Sequence, residues 1–354
     1  MAIQFPISIM KTLWSRRADG KWQINGMKGL ELSSDKSGEE RYFVLRGDVQ
    51  LMTNSPNAGM DDVLSMFGTT DFLMQQSIVP VVAWLEGEHA MRCIGTASII
   101  SCTGYLLTAA HVVMDPIEAG YGAVRDGVQV RMHENLNFGV LIPFWGPSQG
   151  MTMQKAFRFF PIEQAWNWGE WKQSPLLHED DRWEHLSDIA ICKIPEMPNG
   201  RSHQPLNMSL NPFVPDEDAY ALGFAEMPDL QLDPQNGGLA QRKPSMDIYV
   251  SVGKIINTFP QNHVEKKVST PGPCFDFNAR IPGKMSGAPI FGARGAVIRG
   301  VVSRSFSGEE HAYGSMLGPA MQLPLDCPEN ANRTLAGLLQ TGNEGMAKVE
   351  GVGL

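Results

Sequence analysis

The sequence predicts an all-β protein, and three observations carry that expectation. Its 36 glycines and 24 prolines are scattered through 354 residues, which suits many short strands joined by turns. Short apolar, β-branched runs recur between turn signals at 78–84, 91–100 and 140–143. Met246, Ile248, Val250 and Val252 alternate strictly with their neighbours, as in a half-buried strand. Strands of this length and spacing imply a barrel or a sandwich.

Along the chain, residues 1–76 are the least legible. They hold short alternating runs such as 42–45, a polar break over 31–40, a loop at 54–59 and a short helix expected over 61–72, opened by Asp61 and Asp62. A strand at 78–84 then leads through Glu86-Gly87-Glu88 into a second at 91–100. Cys102-Thr103-Gly104 turns the chain into a third apolar run, 106–113, expected as a strand ending in Ala109, Ala110 and His111. Val128, Val130 and Met132 alternate.

The stretch 157–183 is rich in aromatics: Phe157, Phe159, Phe160, Trp166, Trp168, Trp171 and Trp183. It reads as the core of an insertion or as an aromatic rim over a cleft. Ser187-Asp188-Ile189 places an aspartate at the start of another apolar strand. The polar, proline-rich 195–215 reads as a linker between two halves. The second half opens with a strand at 219–224, then a turn-rich loop at 230–244, and further strands at 246–252, 295–303 and 312–316. A helix is expected near Ala336, followed by a loose tail.

Charge and composition exclude several classes. The net charge is −9 and no long basic run is present, so no nucleic-acid partner is expected. No apolar stretch approaches the ~20 residues of a membrane span. The first residues carry their positive charges after the apolar part, the wrong polarity for a secretory signal. Five cysteines (Cys93, Cys102, Cys192, Cys274 and Cys327) form an odd set that fits reduced thiols in a cytoplasmic protein. No Cys/His spacing suggests zinc, and neither metal nor cofactor is expected.

The chemistry centres on Gly283-Lys284-Met285-Ser286-Gly287-Ala288-Pro289. Glycines on both sides of a serine permit a tight turn that exposes the side chain and leaves backbone N–H groups free. His111 and Asp188 precede it. A serine hydroxyl needs a base to take its proton, histidine titrates near neutrality, and a buried carboxylate fixes the imidazole tautomer. The order His, Asp, Ser is one of those known for such a triad.

On these residues the chain resembles the chymotrypsin/trypsin-like serine proteases over about residues 77–320. Thr108-Ala109-Ala110-His111 matches the family's histidine motif, Ser187-Asp188-Ile189-Ala190-Ile191 its aspartate motif, and Ser286, Gly287 and Pro289 its serine motif. Gly300-Val301-Val302-Ser303-Arg304-Ser305 resembles the strand that pairs with substrate backbone. The resemblance implies two six-stranded antiparallel β-barrels of the chymotrypsin type with N- and C-terminal extensions. The expected division is an N-terminal extension, 1–76, packed on the barrels; a first barrel with the aromatic-rich insertion, 77–200; a second barrel, 201–325; and a C-terminal tail, 326–354.

It also implies a serine endopeptidase with catalytic His111, Asp188 and Ser286 and an oxyanion hole from the backbone N–H groups of Lys284 and Ser286. Counting back from Ser286 places Arg280 at the floor of the specificity pocket, where it would favour an acidic side chain; a surface arginine is the other reading, and the first of the two. Ser303, Arg304 and Ser305 would bind substrate, with Arg304 and His311 beside the pocket.

Three positions depart from the family's pattern. Val112 stands where secreted members carry a cysteine. Lys284 stands where the family usually has glycine, so the hole is expected to need substrate or an activating partner. Met285 replaces the aspartate that pairs with a newly cut N-terminus, so activation by N-terminal insertion is not expected. The partner is a protein or peptide substrate; the alternative is a catalytically weak or inactive peptide-binding module on the same fold.

Overall fold

In a computed structural model, the described residues are 7–11, 14–16, 22–24, 43–44, 51–53, 77–116, 122–126, 129–132, 135–147, 153–172, 182–195, 205–225, 227–232, 248–261, 263, 268–292, 297–305, 311–325, 333–340 and 346–351. The expected helix at 61–72, the breaks at 31–40 and 54–59, Val128, Met246, Cys327 and most of the 230–244 loop lie outside them.

The first half is a curled sheet of six core strands: β1 (Ile78–Leu85), β2 (Ala90–Ile99), β3 (Tyr105–Thr108), β4 (Leu136–Pro147), β5 (Gln164–Lys172) and β6 (Arg182–Lys193). They pair in the order β4-β1-β2-β3-β6-β5, and every adjacent pair is antiparallel. β1 is apolar on both faces, and seven of its eight residues are buried. Such a strand reads as a continuous hydrophobic run rather than an alternation.

Further strands extend both edges of this sheet. Met153–Pro161 lies beyond β4, and Ile7–Lys11 pairs with β5. Part of the aromatic stretch is core, and its strands belong to the sheet itself. Phe159, Phe160 and Trp166 are buried, and the Trp168 indole donates to the Pro319 carbonyl at 2.8 Å.

The second half is a closed barrel of β7 (Asp218–Phe224), β8 (Ile248–Phe259), β9 (Cys274–Phe277), β10 (Pro289–Gly292), β11 (Ile298–Ser305) and β12 (Ala312–Met316). The order β10-β7-β8-β9-β12-β11 returns on itself because β11 also pairs with β10. Phe275, Phe277, Ile290 and Met285 fill its interior. Two glycines make room for the Phe275 ring: a β-carbon at Gly314 would stand 2.3 Å from Phe275 Cζ. The expected all-β, two-barrel architecture is therefore present, with the second barrel closed and the first curled and extended at its edges.

Two local expectations are corrected. The run 106–113 is not one strand: β3 stops at Thr108, and Ala110–Pro116 form a short helix, α1. The C-terminal residues are not all loose. Val349–Glu350 pair in parallel with Met208–Ser209, and the Ala347 N–H donates to the Ile100 carbonyl at 2.9 Å. Main-chain pairing needs no hydrophobic signature, so the small polar composition of this segment concealed it. The helix near Ala336 is present as Leu335–Gln340 and buries Leu335, Leu338 and Leu339.

Cys93, Cys102, Cys192 and Cys274 carry free thiols. Among the described residues no helix is long and apolar enough to cross a membrane.

Candidate active site

His111 enters the site on the first turn of α1, where backbone N–H groups have no partner within the helix. Asp188 supplies one. Its Oδ1 accepts the His111 backbone N–H at 2.9 Å and lies 3.1 Å from His111 Nδ1, while Oδ2 lies 2.9 Å from the same nitrogen. One carboxylate therefore fixes both the main chain and the ring of His111.

Asp188 reaches this position through an irregularity in its strand rather than by opening the strand, as the sequence suggested. β5 pairs Asn167 with Ala190 but Gly169 with His185, so residues 186–189 of β6 face only residue 168. A bulge of this kind bends a strand and re-aims side chains. It carries Asp188 to the head of α1, almost wholly buried at 2% exposure.

Ser303, on β11, donates its hydroxyl to Asp188 Oδ2, and its Oγ lies 3.1 Å from Thr270 Oγ1. The second barrel thus completes the shell around a carboxylate held by the first.

The electrostatics follow from these contacts. Burial pushes the Asp188 carboxyl up, but the charge and hydrogen bond of His111, the charge of His185 and the Ser303 hydroxyl outweigh it. The carboxyl is held well below the ordinary carboxylate range. Burial pulls the His111 ring down; the Asp188 charge and hydrogen bond, with Asp115 adding, win and raise it above its ordinary 6.5. The imidazole is poised to accept a proton while the carboxylate stays ionised.

The serine turn packs against the strand end that leads into α1. Gly287 is left-handed, with φ 84°, and a β-carbon there would meet Thr108 Oγ1 and the Thr96 carbonyl, each at 2.2 Å. Only glycine lets this turn lie against the β3 end that leads into α1. The Ser286 carbonyl accepts the Thr96 N–H at 2.8 Å. A β-carbon on Gly95 would touch both Ser286 O, at 3.0 Å, and Val112 Cγ1, at 2.7 Å. Ser286 and the helix carrying His111 therefore share one patch of β2.

Of the other residues singled out by sequence, Ser303 joins the His111–Asp188 pair directly. Arg304, exposed on the same strand, acts by its charge on His111, Asp115 and His185. Ser305, half-buried, ends β11. Arg280 is exposed, and its carbonyl accepts the Ser251 hydroxyl at 2.7 Å. Lys284 is left-handed, with φ 73°, an unusual conformation for a residue with a β-carbon.

Sequence reasoning overlooked Thr96, Thr270 and His185. Thr96 touches the turn twice, through its N–H to Ser286 and through its hydroxyl, 3.3 Å from the Lys284 carbonyl. His185 lies within electrostatic reach of His111 and Asp188, and its pKa is lowered, first by burial. In a regular strand residues 185 and 188 point to opposite faces; the bulge removes that distinction, and no sequence pattern announces it.

The fold is thus a curled sheet carrying a buried carboxylate–imidazole pair beside a closed six-stranded barrel. The trypsin-like peptidase domain model matches residues 95–298, more than half of the chain, and the chain belongs to that family. No curated protein matches it. Among solved structures, the chain is similar to Deg5 at 13% identity and a TM-score of 0.40, covering 73% of this chain and 89% of that one. It is similar to the active form of the Rv3671c protease from M. tuberculosis at 15% identity and 0.40, covering 77% and 86%. It is also similar to the serine endoprotease from Yersinia pestis at 14% and 0.36, covering 73% and 63%.

Proposed function

We propose that the chain is a serine endopeptidase in which Ser286 is the nucleophile, His111 the general base and Asp188 the group that orients and stabilises the charged imidazole. The observation that carries this reading is the double hold of Asp188 on His111, through backbone N–H and through Nδ1. With Nδ1 engaged, Nε2 is the free face of the ring, and it takes the Ser286 proton as Oγ attacks a peptide carbonyl. The N–H groups of Lys284 and Ser286 stabilise the oxyanion. His111 then gives its proton to the leaving amine, and water repeats the cycle on the acyl-enzyme.

An extended substrate pairs with the backbone of Ser303–Ser305 as an added strand. Arg280 and Arg304 put positive charge near the cleft and favour a substrate with an acidic side chain before the cut bond. Burial pushes the Cys93 thiol up to about 12, which suits a structural rather than a reactive role.

The test is labelling with a fluorophosphonate beside Ser286→Ala and His111→Ala. Labelling of the wild type, lost in both variants, supports the reading. An unlabelled wild type that still binds peptide supports instead the non-catalytic binding module, which the β-carbon at position 284 favours.

A further inference from the structure

Lys284 occupies a left-handed backbone conformation that glycine adopts freely and that a side chain makes costly. Its side chain is not idle. The ammonium donates to the Met227 carbonyl at 2.5 Å and lies 3.9 Å from Asp229 Oδ1. Its own carbonyl faces the Thr96 hydroxyl at 3.3 Å. Thr96 is buried, and the same hydroxyl accepts the Phe224 N–H at 3.0 Å. The residue is held from its side chain and from its main chain at once.

The anchor at Met227 is itself firm. Met227 is buried, and the two residues that follow Asp229 are paired to the first sheet, Leu230 with Met91 and Gln231 with Ala90. A residue relaxing toward negative φ by turning about its Cα would carry the ammonium off the Met227 carbonyl. The contact is therefore made in one backbone state and lost in the other, which is the condition for a side chain to bias a conformational equilibrium.

We propose that Lys284 is a positioning residue: its clasp on Met227 and Asp229 holds the left-handed turn on which the alignment of the 284 and 286 N–H groups depends. This rests on the protease reading above. The segment 227–229 thereby becomes part of the catalytic apparatus without touching substrate, and the turn is set by an internal brace.

The experiment compares wild type with Lys284→Met, Lys284→Gly and Asp229→Asn, by peptide hydrolysis, fluorophosphonate labelling and crystal structures. Lys284→Met keeps the stem and β-carbon but loses the clasp; it is expected to lower kcat about tenfold, the scale of one left-handed residue, with KM within about twofold. Lys284→Gly needs no clasp to reach positive φ, so it is expected to keep the left-handed turn in its crystal structure and to be faster than Lys284→Met. Asp229→Asn, whose carboxylate is 43% exposed, is expected to cost less than Lys284→Met. A Lys284→Met enzyme as fast as wild type, or a Lys284→Gly enzyme as slow as Lys284→Met, overturns the proposal. The crystal structures decide independently of turnover: Lys284→Met is expected to relax to negative φ at 284, and an unchanged left-handed turn overturns the brace. A wild type that takes no fluorophosphonate at Ser286 overturns the protease reading, whatever the turn does in the variant structure.

Discussion

Exchanging Asp188 for asparagine probes the electrostatic core of the site. The carboxylate takes the His111 N–H at 2.9 Å, faces Nδ1 at 2.9 and 3.1 Å, and accepts the Ser303 hydroxyl. An amide of the same shape offers one acceptor oxygen and an NH₂ group, so at least one of these three donors loses its partner. Orphaning one buried donor costs about 1–3 kcal/mol of stability. The kinetic effect is larger. Without the negative charge, burial acts on the His111 ring with only the weaker help of Asp115, and its pKa falls below its ordinary value. The acid limb of kcat/KM should move to lower pH in the variant. The plateau should drop on the order of 10⁴, the loss seen when a triad aspartate becomes an amide. The assay is the kcat/KM profile from about pH 5 to pH 9 beside thermal unfolding over the same range. A limb that stays in place, or a plateau loss under about tenfold, would refute the role assigned to Asp188.

Stability should follow the same pair. Asp188, with a depressed pKa, contributes above its unfolded value of about 3.9 and loses that contribution as pH falls through its lower folded value. His111, with a raised pKa, contributes fully below about 6.5 and fades as pH rises through its folded value; unfolding midpoints across both windows, flattened in Asp188→Asn, check this. Gly287→Ala pairs a strained φ of 84° with 2.2 Å contacts to Thr108 Oγ1 and Thr96 O, and should cost roughly 2–5 kcal/mol by denaturant titration. Arg280→Glu should shift cleavage preference from acidic toward basic side chains in a peptide library; an unaltered profile would return Arg280 to the surface reading. Met285→Asp should lower the unfolding midpoint sharply, because residue 285 is 0% exposed and an uncompensated buried carboxylate costs several kcal/mol; a variant as stable as wild type would contradict this placement.

Much of this site was legible because chemistry constrains a few positions tightly. His111, Asp188 and Ser303 each carry apolar flanks that read as strands, and the structure brings the three together. The rest was hidden for identifiable reasons. The helix at His111 is only seven residues long and has no capping side chain of its own; its N–H is satisfied by a carboxylate 77 residues away. The bulge at 186–189 follows from how β5 and β6 pair, and a single strand carries no trace of it. Thr270 and Thr96 are buried hydroxyls whose partners include Ser303 and the Phe224 N–H, on strands far along the chain. The C-terminal pairing with Met208–Ser209 is a main-chain contact between segments far apart in sequence, to which composition is blind.

The two departures from the family's serine motif become intelligible together. Met285 is buried in the second barrel's core beside Ile281 and Ala288, with the Ser251 hydroxyl 4.0 Å from its sulfur. Fully burying such a side chain is worth about 1.5–3 kcal/mol, and it pins the turn from inside the barrel. Lys284, the preceding residue, reaches outward to Met227 and Asp229, and Thr96 holds the Lys284 and Ser286 carbonyls from the facing barrel. Met285 points into the barrel and Lys284 points out of it, so one inward apolar anchor and one outward polar anchor are made by neighbours without competing. An aspartate at position 285 would need a cation brought into the barrel; a methionine there needs only the space that the core already provides.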